Sequence, residues 1–214
     1  MPNINDNDLL IIICSKNPNE VFTKCIDQLR LFYKSNILVV DSDSDKNLEI
    51  YDNIKNKYEN IEISLIKNKN WEYGAYKYGF NKYPNYKMYL CFQESILLKE
   101  KIKLEEKYLY LIYTTQGWSS YRKEWMNVSL ELIKNTELFD YYNNNIKSNF
   151  LLCQHNSFIF NNNTMKDMFN TLIYPPKNKI GEMAYERLFG LFIQKYTDKY
   201  KKKIIILLLI LEKN

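Results

Sequence analysis

The 214-residue sequence contains little glycine, five residues in all, and a single histidine, His155. Its four cysteines, Cys14, Cys25, Cys91 and Cys153, include no pair at the two-residue spacing typical of a zinc site. With one histidine and no such pair, we expect no structural zinc site. Free cysteines in apolar runs behave as small core residues, and they fit a reducing, cytoplasmic environment.

Long apolar runs are also missing. The run nearest the C-terminus, residues 204–211, has eight apolar residues, whereas a membrane-spanning helix needs about 20. We therefore expect a buried strand or helix there, and the preceding Lys201–Lys203 leaves a peripheral membrane contact as the alternative. The net charge of +5 is not concentrated in a basic stripe, so nucleic acid is not the expected partner.

The residues that are present have an ordinary globular balance, with 46% hydrophobic and 26% charged. Apolar or alternating runs predict four strands, at residues 9–14, 37–40, 61–65 and 87–92. Helical patterns lie between these strands, and Asn17 is expected to cap the first helix, with Pro18 as its first residue. The alternation predicts an α/β fold, with a mostly parallel central sheet flanked by helices in one compact domain over residues 1–214.

The second half of the sequence is less regular. It predicts a strand at residues 108–113, one or two strands at 150–160, and helices at 118–132, 164–173 and 182–194.

Four segments of the first half carry a family resemblance. They are residues 10–15 (LIIICS), 37–44 (ILVVDSDS), 70–79 (NWEYGAYKYG) and 88–95 (MYLCFQES). In order and separation, this set resembles family 2-like glycosyltransferases of the GT-A (Rossmann-like) fold. The resemblance implies transfer of a sugar from a nucleotide-sugar, with a UDP-sugar favoured, to a hydroxyl of a glycan or protein acceptor. It also implies that residues 1–100 bind the donor and residues 101–214 bind the acceptor.

The ends of the first two strands are the expected place for the nucleotide, because ligands of open α/β sheets bind beyond the carboxyl ends of the strands. Ser15 ends the first strand, and Asp41 and Asp43 follow the second. A carboxylate there could accept a hydrogen bond from a uracil imide or a ribose hydroxyl. The alternative is a solvated Asp/Ser turn that caps the next helix.

The segment at residues 70–79 supplies four further candidates for donor binding. Trp71 or Tyr73 could stack on the base, or could pack in the core. Gly74 could let the backbone approach the ligand, or could let the helix pack closely. Lys77 could neutralise the phosphates.

The fourth segment stands where the family has its DxD metal motif, and here it reads Gln93, Glu94 and Ser95. The resemblance implies Mn²⁺ or Mg²⁺ held by Glu94 and Ser95, with Gln93 beside the donor. Because one carboxylate replaces two, alternatives stay open. Lysine or arginine could neutralise the diphosphate without a metal, the candidates being Lys77, Lys99 and Arg122. Otherwise catalysis is lost, and the chain is an inactive GT-A-like module that binds a nucleotide, a glycan or a partner protein.

The catalytic base is expected in the late helix, where related enzymes often carry it. Glu182 lies at the predicted helix start and Glu186 one turn later on the same face. Arg187 could pair with either carboxylate or reach a phosphate of the donor. The alternative for the two glutamates is an ordinary charged helix N-terminus.

The sequence offers two further candidate site features and one competing class of enzyme. His155 could be catalytic, a metal ligand or a packed residue, and Gly117 with Trp118 could shape an acceptor pocket. A nucleotidyltransferase usually has a glycine-rich loop after the first strand. Residues 15–18 (SKNP) contain no glycine, so this class is disfavoured.

Overall fold

A computed structural model describes residues 4–111, 114–116, 123–145, 151–196, 201–204 and 208–210. The strands in these ranges are β1 (Leu9–Ser15), β2 (Asn36–Asp41), β3 (Ile61–Ser64), β4 (Met88–Gln93), β5 (Ile96–Leu98), β6 (Tyr108–Leu111), β7 (Thr114–Gln116), β8 (Leu151–Cys153), β9 (Phe158–Asn161), β10 (Lys201–Ile204) and β11 (Leu208–Ile210). The helices are α1 (Glu20–Phe32), α2 (Glu49–Lys57), α3 (Trp71–Lys82), α4 (Lys123–Ile133), α5 (Glu137–Asn145), α6 (Asn162–Thr171) and α7 (Lys179–Tyr196).

The described residues are built around one seven-stranded sheet. Its strands lie in the order β10-β6-β9-β4-β1-β2-β3. Strands β3, β2, β1 and β4 run parallel to one another, while β9 is antiparallel to its neighbours β4 and β6. The predicted α/β fold, with a mostly parallel sheet flanked by helices, is confirmed. Helices α1, α2 and α3 provide the long crossovers that parallel neighbours need.

The alternation of side chains along β1 explains the two-sided core. Leu9, Ile11 and Ile13 pack against the buried residues of α1 and α2. Leu10, Ile12 and Cys14 face the other way, toward α3, α6 and α7. Each fully buried isoleucine contributes about 1.5–3 kcal/mol relative to an exposed one, which is why a strand covered on both faces is so rich in this residue.

The first helix begins later than the sequence predicts. Asn17 is not its cap, because its backbone lies in the left-handed region (φ 52°) and its side-chain oxygen accepts from the amide of Asp45. Asn19 takes the capping role, and its side chain accepts from the amides of Val21 and Phe22.

The second half follows the prediction with shifted boundaries. The two strands expected in residues 150–160 are β8 and β9, and the strand expected in residues 108–113 is β6 as far as Leu111. The predicted late helices correspond to α6 and α7, which begin two and three residues earlier than expected. Of the C-terminal run at residues 204–211, Ile204 ends β10 and Leu208–Ile210 form β11. Short β5 and β7 and the helix α5 were not predicted.

None of the helices in the described ranges has the length and apolar character needed to cross a bilayer.

Candidate active site

The parallel register brings the ends of three strands to one edge of the sheet. Ser15 of β1 lies opposite Asp41 of β2, and Cys14 lies opposite Gln93 of β4. Glu94 and Ser95 form the turn that follows β4. The sequence-predicted residues at these three strand ends are therefore neighbours, as the rule for open α/β sheets requires.

A buried hydrogen-bonded chain joins two of these carboxylates. Ser15 Oγ donates to Glu94 Oε2, and the Tyr51 hydroxyl lies 2.9 Å from Ser15 Oγ and 2.8 Å from Asp41 Oδ1. Burial raises the pKa of Tyr51, so its phenol stays protonated and donates to one of these oxygens at a time. Tyr51 was not singled out from the sequence, where it reads only as an apolar position of α2.

Asp41 is engaged on both of its oxygens. Besides Tyr51, the amide of Ser44 donates to Asp41 Oδ2 at 2.9 Å, and Ser44 Oγ donates to Oδ1. The Asp41 side chain is almost fully buried. Asp41 therefore lies in an Asp/Ser turn, but the turn is buried instead of solvated, and Asp41 does not cap α2. Its occupied oxygens do not favour direct contact with a base.

Asp43 lies at the mouth of a cleft of about 330 Å³ beside this edge. Its backbone is in the left-handed region (φ 61°), which turns the chain away from the strand. The cleft is lined by Lys16, Ser42, Asp43, Asn68, Lys69, Trp71 and Lys177. Three exposed lysines and one carboxylate leave the cleft with an excess of positive charge, which favours a polyanionic ligand.

The three cleft lysines could not be assembled from the sequence. They come from the loop after β1, the loop before α3 and the loop before α7. Only Lys16, which directly follows the end of β1, carries a positional signal, because it lies beyond the carboxyl end of a central strand.

One wall of the cleft is the start of α3, and Asn68 holds it in place. The Asn68 amide donates to the Trp71 carbonyl at 2.7 Å and to Ser42 Oγ at 3.1 Å, while its oxygen accepts from the amide of Asn70. Trp71 itself has a left-handed backbone (φ 47°), which is costly for a bulky residue. The structure thus keeps a strained tryptophan at the cleft.

Gly74 makes this arrangement possible, because it lies directly under Asn68. A Cβ on Gly74 would meet the Asn68 carboxamide and would lie 2.7 Å from Asn70 Cβ. Of the two interpretations from the sequence, close packing therefore fits Gly74, with no ligand needed to explain it.

We expect Gly74→Ala to lower the free energy of unfolding by about 1–3 kcal/mol, because the added methyl group must displace the Asn68 side chain. Chemical denaturation measures this loss. Gly181→Ala is the matched control, since its Cβ would come no closer than 3.3 Å to its nearest neighbour, Pro176 Cβ. If Gly74→Ala were as stable as Gly181→Ala, the proposed support of the cleft by Gly74 would be wrong.

A second group of side chains lies where the two halves of the chain meet. Glu72 of α3 and Glu182 of α7 are both buried, and the charge of Glu182 acts on Glu72. Gln93 Nε2 donates to Glu72 Oε1 at 2.6 Å, and Asn156 Nδ2 donates to Glu182 Oε1 at 3.3 Å. Lys179 Nζ lies 2.7 Å from Glu182 Oε2. Burial, together with the nearby Glu182, raises the pKa of Glu72 well above its ordinary value.

Glu72 is the main residue that sequence reasoning missed. It lies inside the segment NWEYGAYKYG, but nothing in a one-dimensional pattern places it beside Gln93, which donates to it from the end of β4. The available signal was a lone acid in the first turn of a helix whose later turns are mostly aromatic and apolar.

Cys14 shows that the cleft and the carboxyl groups form one region. Its thiol lies 3.2 Å from Ser42 Oγ, which in turn accepts from the cleft residue Asn68. The pKa of Cys14 is raised by burial first, and then by the charge of Glu72, with further contributions from Glu94 and Glu182. Buried carboxyl groups from three parts of the chain therefore act on the thiol near the end of β1.

Glu186 and His155 support a strained turn beside this region. Both His155 and Asn156 have left-handed backbones, with φ of 55° and 49°. The amide of His155 donates to Glu186 Oε1 at 2.8 Å. Glu186 thus holds the turn that presents Asn156 to Glu182, and a structural role fits it better than that of a base. Burial lowers the pKa of His155, which favours its neutral form.

Three residues predicted to bind the donor, Tyr73, Lys77 and Arg187, do not line the cleft. Tyr73 is a core residue, since it packs on Phe169 and Tyr185 and its hydroxyl donates to the Leu172 carbonyl, so stacking on a base does not fit its position. Lys77 donates to the Tyr73 hydroxyl at 3.1 Å.

The Arg187 guanidinium is buried over the Trp125 ring, 4.8 Å from its centre, and donates to the Met183 carbonyl. In this position it packs inside the protein instead of reaching a phosphate in the cleft. Gly117, Trp118 and Arg122 lie outside the described residues, and Lys99 follows β5 and does not line the cleft.

The expected metal site at Glu94 and Ser95 has too few ligands. No group of three or more His, Cys, Asp or Glu side chains within the described ranges is arranged to hold a metal ion. Glu94 supplies one carboxylate, which already accepts from Ser15. This donor set does not fit a resident divalent cation, which prefers several carboxylate oxygens.

Comparison with known proteins finds one distant structural likeness and no family. No protein-family model matches the sequence, and no curated protein matches it. Among solved structures, the chain is similar to one described as the mannosyltransferase Ktr4p from S. cerevisiae in complex with GDP, with a TM-score of 0.45 and 14% identity. The match covers 87% of this chain and 62% of that one, so this chain spans less than two thirds of its length. A likeness of this size does not indicate the activity or the substrate of the present chain.

Proposed function

We propose that this chain is a nucleotide-sugar-dependent glycosyltransferase that transfers a sugar to an acceptor hydroxyl. One observation carries the proposal. A cleft lined by three lysines and a half-buried tryptophan lies beside buried carboxyl groups at the carboxyl edge of a parallel sheet. The cleft suits a nucleoside diphosphate, and the carboxyl groups suit proton transfer to or from a hydroxyl.

The donor is assigned to the cleft. Lys16, Lys69 and Lys177 surround the volume in which the diphosphate would lie, and Trp71 offers an indole for contact with the base or the sugar. Asp43, and not Asp41, is the strand-end carboxylate positioned to bond to a ribose or base. UDP-sugars stay the favoured donors, with GDP-sugars as the comparison.

Neutralisation of the negative charge on the diphosphate is assigned to the three lysines that line the cleft. As Glu94 is the only carboxylate at the DxD position, we derive no step through Mn²⁺ or Mg²⁺. Lysine is a recognised phosphate-binding residue that acts as a point charge. Positive charge near the departing diphosphate stabilises the transition state in the same manner as other fixed charges in active sites.

The role of general base, which takes the proton of the acceptor hydroxyl, is assigned to Glu182. As the acceptor oxygen forms a bond to the anomeric carbon, the bond from that carbon to the phosphate oxygen breaks and its electron pair leaves with the nucleoside diphosphate. The hydroxyl proton passes to the Glu182 carboxylate. Lys179 and Asn156 hold that carboxylate in place.

Calorimetry with UDP-sugars and GDP-sugars, with and without Mn²⁺, tests the donor assignment, and release of free nucleotide tests turnover. We expect binding that does not need Mn²⁺, followed by slow hydrolysis of the bound donor. Binding without any hydrolysis or transfer would favour the inactive binding module instead. Absence of binding by both donor classes would refute the enzyme proposal.

A further inference from the structure

We propose that the acceptor is a neutral oligosaccharide of two or more sugar units, and that it lies in a groove which continues from the cleft along the loop between α6 and α7. This proposal rests on the proposed function, since it names the class of acceptor for that enzyme. Binding of the oligosaccharide is nevertheless a property of the free protein and needs no donor.

Two further cavities adjoin the cleft in succession. The middle cavity lies between α4 and the loop before α7, has a volume of about 540 Å³ and shares Lys177 with the cleft. The far cavity lies between the start of α5, α6 and the end of α7, has a volume of about 370 Å³ and shares Asn135 with the middle cavity. Pockets of about 300–1,000 Å³ hold ligands of drug size. The two cavities together therefore offer more room than a single sugar unit needs.

One loop, residues 172–178, lines the cleft and both cavities. Ile173 lines the far cavity, Tyr174 and Asn178 line the middle cavity, and Lys177 lines the middle cavity and the cleft. A ligand that follows this loop passes from the far cavity to the donor, so the groove suits a chain-like acceptor.

The loop is held rigidly, and it presents an exposed ring. The Tyr73 hydroxyl donates to the Leu172 carbonyl at 2.6 Å, and the Tyr185 hydroxyl donates to the Tyr174 carbonyl. Residues 175 and 176 are prolines, which restrict the backbone further. The Tyr174 residue nevertheless stays 44% exposed. An aromatic ring on a fixed backbone lowers the cost of ordering the site when a ligand binds.

The side chains along the groove suit a sugar. Asn127 and Asn135 in the middle cavity and Asn170 in the far cavity are exposed amides, which can both donate and accept, as sugar hydroxyls do. The ring of Tyr174 offers an apolar face for the C–H face of a sugar. Asparagine is abundant throughout the chain, so the argument depends on the amides and the rigid ring lining the same groove.

The charges along the two cavities indicate a neutral ligand. Glu131 lies 3.6 Å from Lys134, and Glu137 lies 2.7 Å from Lys195. The other two charges of the lining, Asp167 and the shared lysine, are also of opposite sign. The groove thus has no excess of one charge, in contrast to the cleft, and favours neither a polyanion nor a polycation.

The walls of the groove favour a saccharide over an extended peptide. An extended peptide typically bonds to the exposed backbone of a strand edge. Among the described residues, those that line the two cavities belong to helices and to the loops beside them. They offer side chains for recognition, because a helix uses its backbone groups internally.

The reacting end of the acceptor is assigned to the junction at Lys177, where the middle cavity meets the cleft. Gly181 also lines the middle cavity, and it directly precedes Glu182, the proposed base. The hydroxyl at the end of the oligosaccharide therefore approaches the donor from the side of α7.

Calorimetry without donor tests the groove, with neutral gluco-, galacto- and manno-oligosaccharides of one to four units as probes. We expect at least one series to bind, with affinity rising by about 10-fold or more from the disaccharide to the tetrasaccharide and no measurable binding of the monosaccharide. Failure of all three series, or an affinity that ignores chain length, would overturn the proposal. Tighter binding of an acidic oligosaccharide or of a serine-containing peptide would also overturn it.

Variants locate the binding on the loop. Tyr174→Ala should weaken binding of the tetrasaccharide by about 10-fold, and Tyr174→Phe should retain it, because the ring is kept. Asn170→Ala, in the far cavity, should weaken the tetrasaccharide but not the disaccharide. Leu31→Ala is the control, because Leu31 is an 81% exposed residue of α1, on the other face of the sheet. If Tyr174→Ala bound the tetrasaccharide as tightly as Leu31→Ala does, the groove would not be its site.

The outcome for the groove is separable from the outcome for the enzyme. Length-dependent binding of an oligosaccharide in a protein that neither hydrolyses nor transfers from a nucleotide-sugar would sink the proposed function and leave the groove intact. Turnover of the donor without binding of any oligosaccharide would do the reverse.

Discussion

Glu182→Gln should lower the turnover number for sugar transfer by about 10²- to 10⁴-fold, the usual contribution of a positioned general base. Glutamine has nearly the same shape and can still accept from Asn156, so the fold should be retained. It cannot take a proton from the acceptor hydroxyl. Donor affinity, measured by calorimetry, should stay at the wild-type value because the cleft lysines are untouched.

Glu186→Gln is the matched control, since it makes the same chemical change one helical turn away. Its carboxylate accepts from the His155 amide and supports the turn, and this contact survives in glutamine. We therefore expect a small effect on turnover. A large loss in Glu186→Gln together with normal turnover in Glu182→Gln would move the role of base to Glu186. Normal turnover in both variants would show that neither glutamate of α7 acts as the base.

The distinction between the two glutamates shows what a linear pattern can resolve. Both lie on one helix face at a spacing of four, so the sequence places them together but does not rank them. The ranking comes from what each one faces. Glu182 pairs with Lys179 and accepts from Asn156, whereas Glu186 accepts from the backbone of a strained turn. Such partners come from other parts of the chain and have no periodic signature.

The strands and their order were predictable for a physical reason. A continuous apolar run as short as residues 9–14 and rich in β-branched isoleucine favours a strand, and helices on both sides of the sheet bury its side chains. The register then places Ser15, Asp41 and Gln93 at one edge without further information. The predicted start of α1 was wrong because two nearby asparagines, Asn17 and Asn19, could each cap the helix, and Asn19 does so.

The roles of the strand-end acids were less predictable. Asp41 and Asp43 are two residues apart and look equivalent in the sequence, but Tyr51 and Ser44 occupy the oxygens of Asp41 while Asp43 borders the cleft. Tyr51 of α2 causes this difference, because its hydroxyl contacts both Asp41 and Ser15 at the end of β1. Side-chain reach of this kind depends on how helices pack on the sheet, which no local pattern encodes.

Replacing Lys16, Lys69 and Lys177 together by glutamine should weaken binding of the nucleotide-sugar by about 10- to 100-fold at low ionic strength. The reason is electrostatic, because the three ammonium groups line one cleft and the donor carries a diphosphate. These side chains are exposed, so the melting temperature should hardly change. Affinity is measured by calorimetry over a series of salt concentrations.

Salt provides the internal check on this prediction. Wild-type affinity should fall steeply as salt rises, whereas the triple variant should depend on salt much less, because it has lost the charges that salt screens. A control with the same change in net charge replaces Lys24, Lys55 and Lys87, whose partners are surface acids away from the cleft. If the control weakened binding as much as the cleft variant does, net charge alone would explain the effect. If the cleft variant bound as tightly as wild type at low salt, the diphosphate would have to lie elsewhere, and Glu94 with a bound cation would again become the site to test.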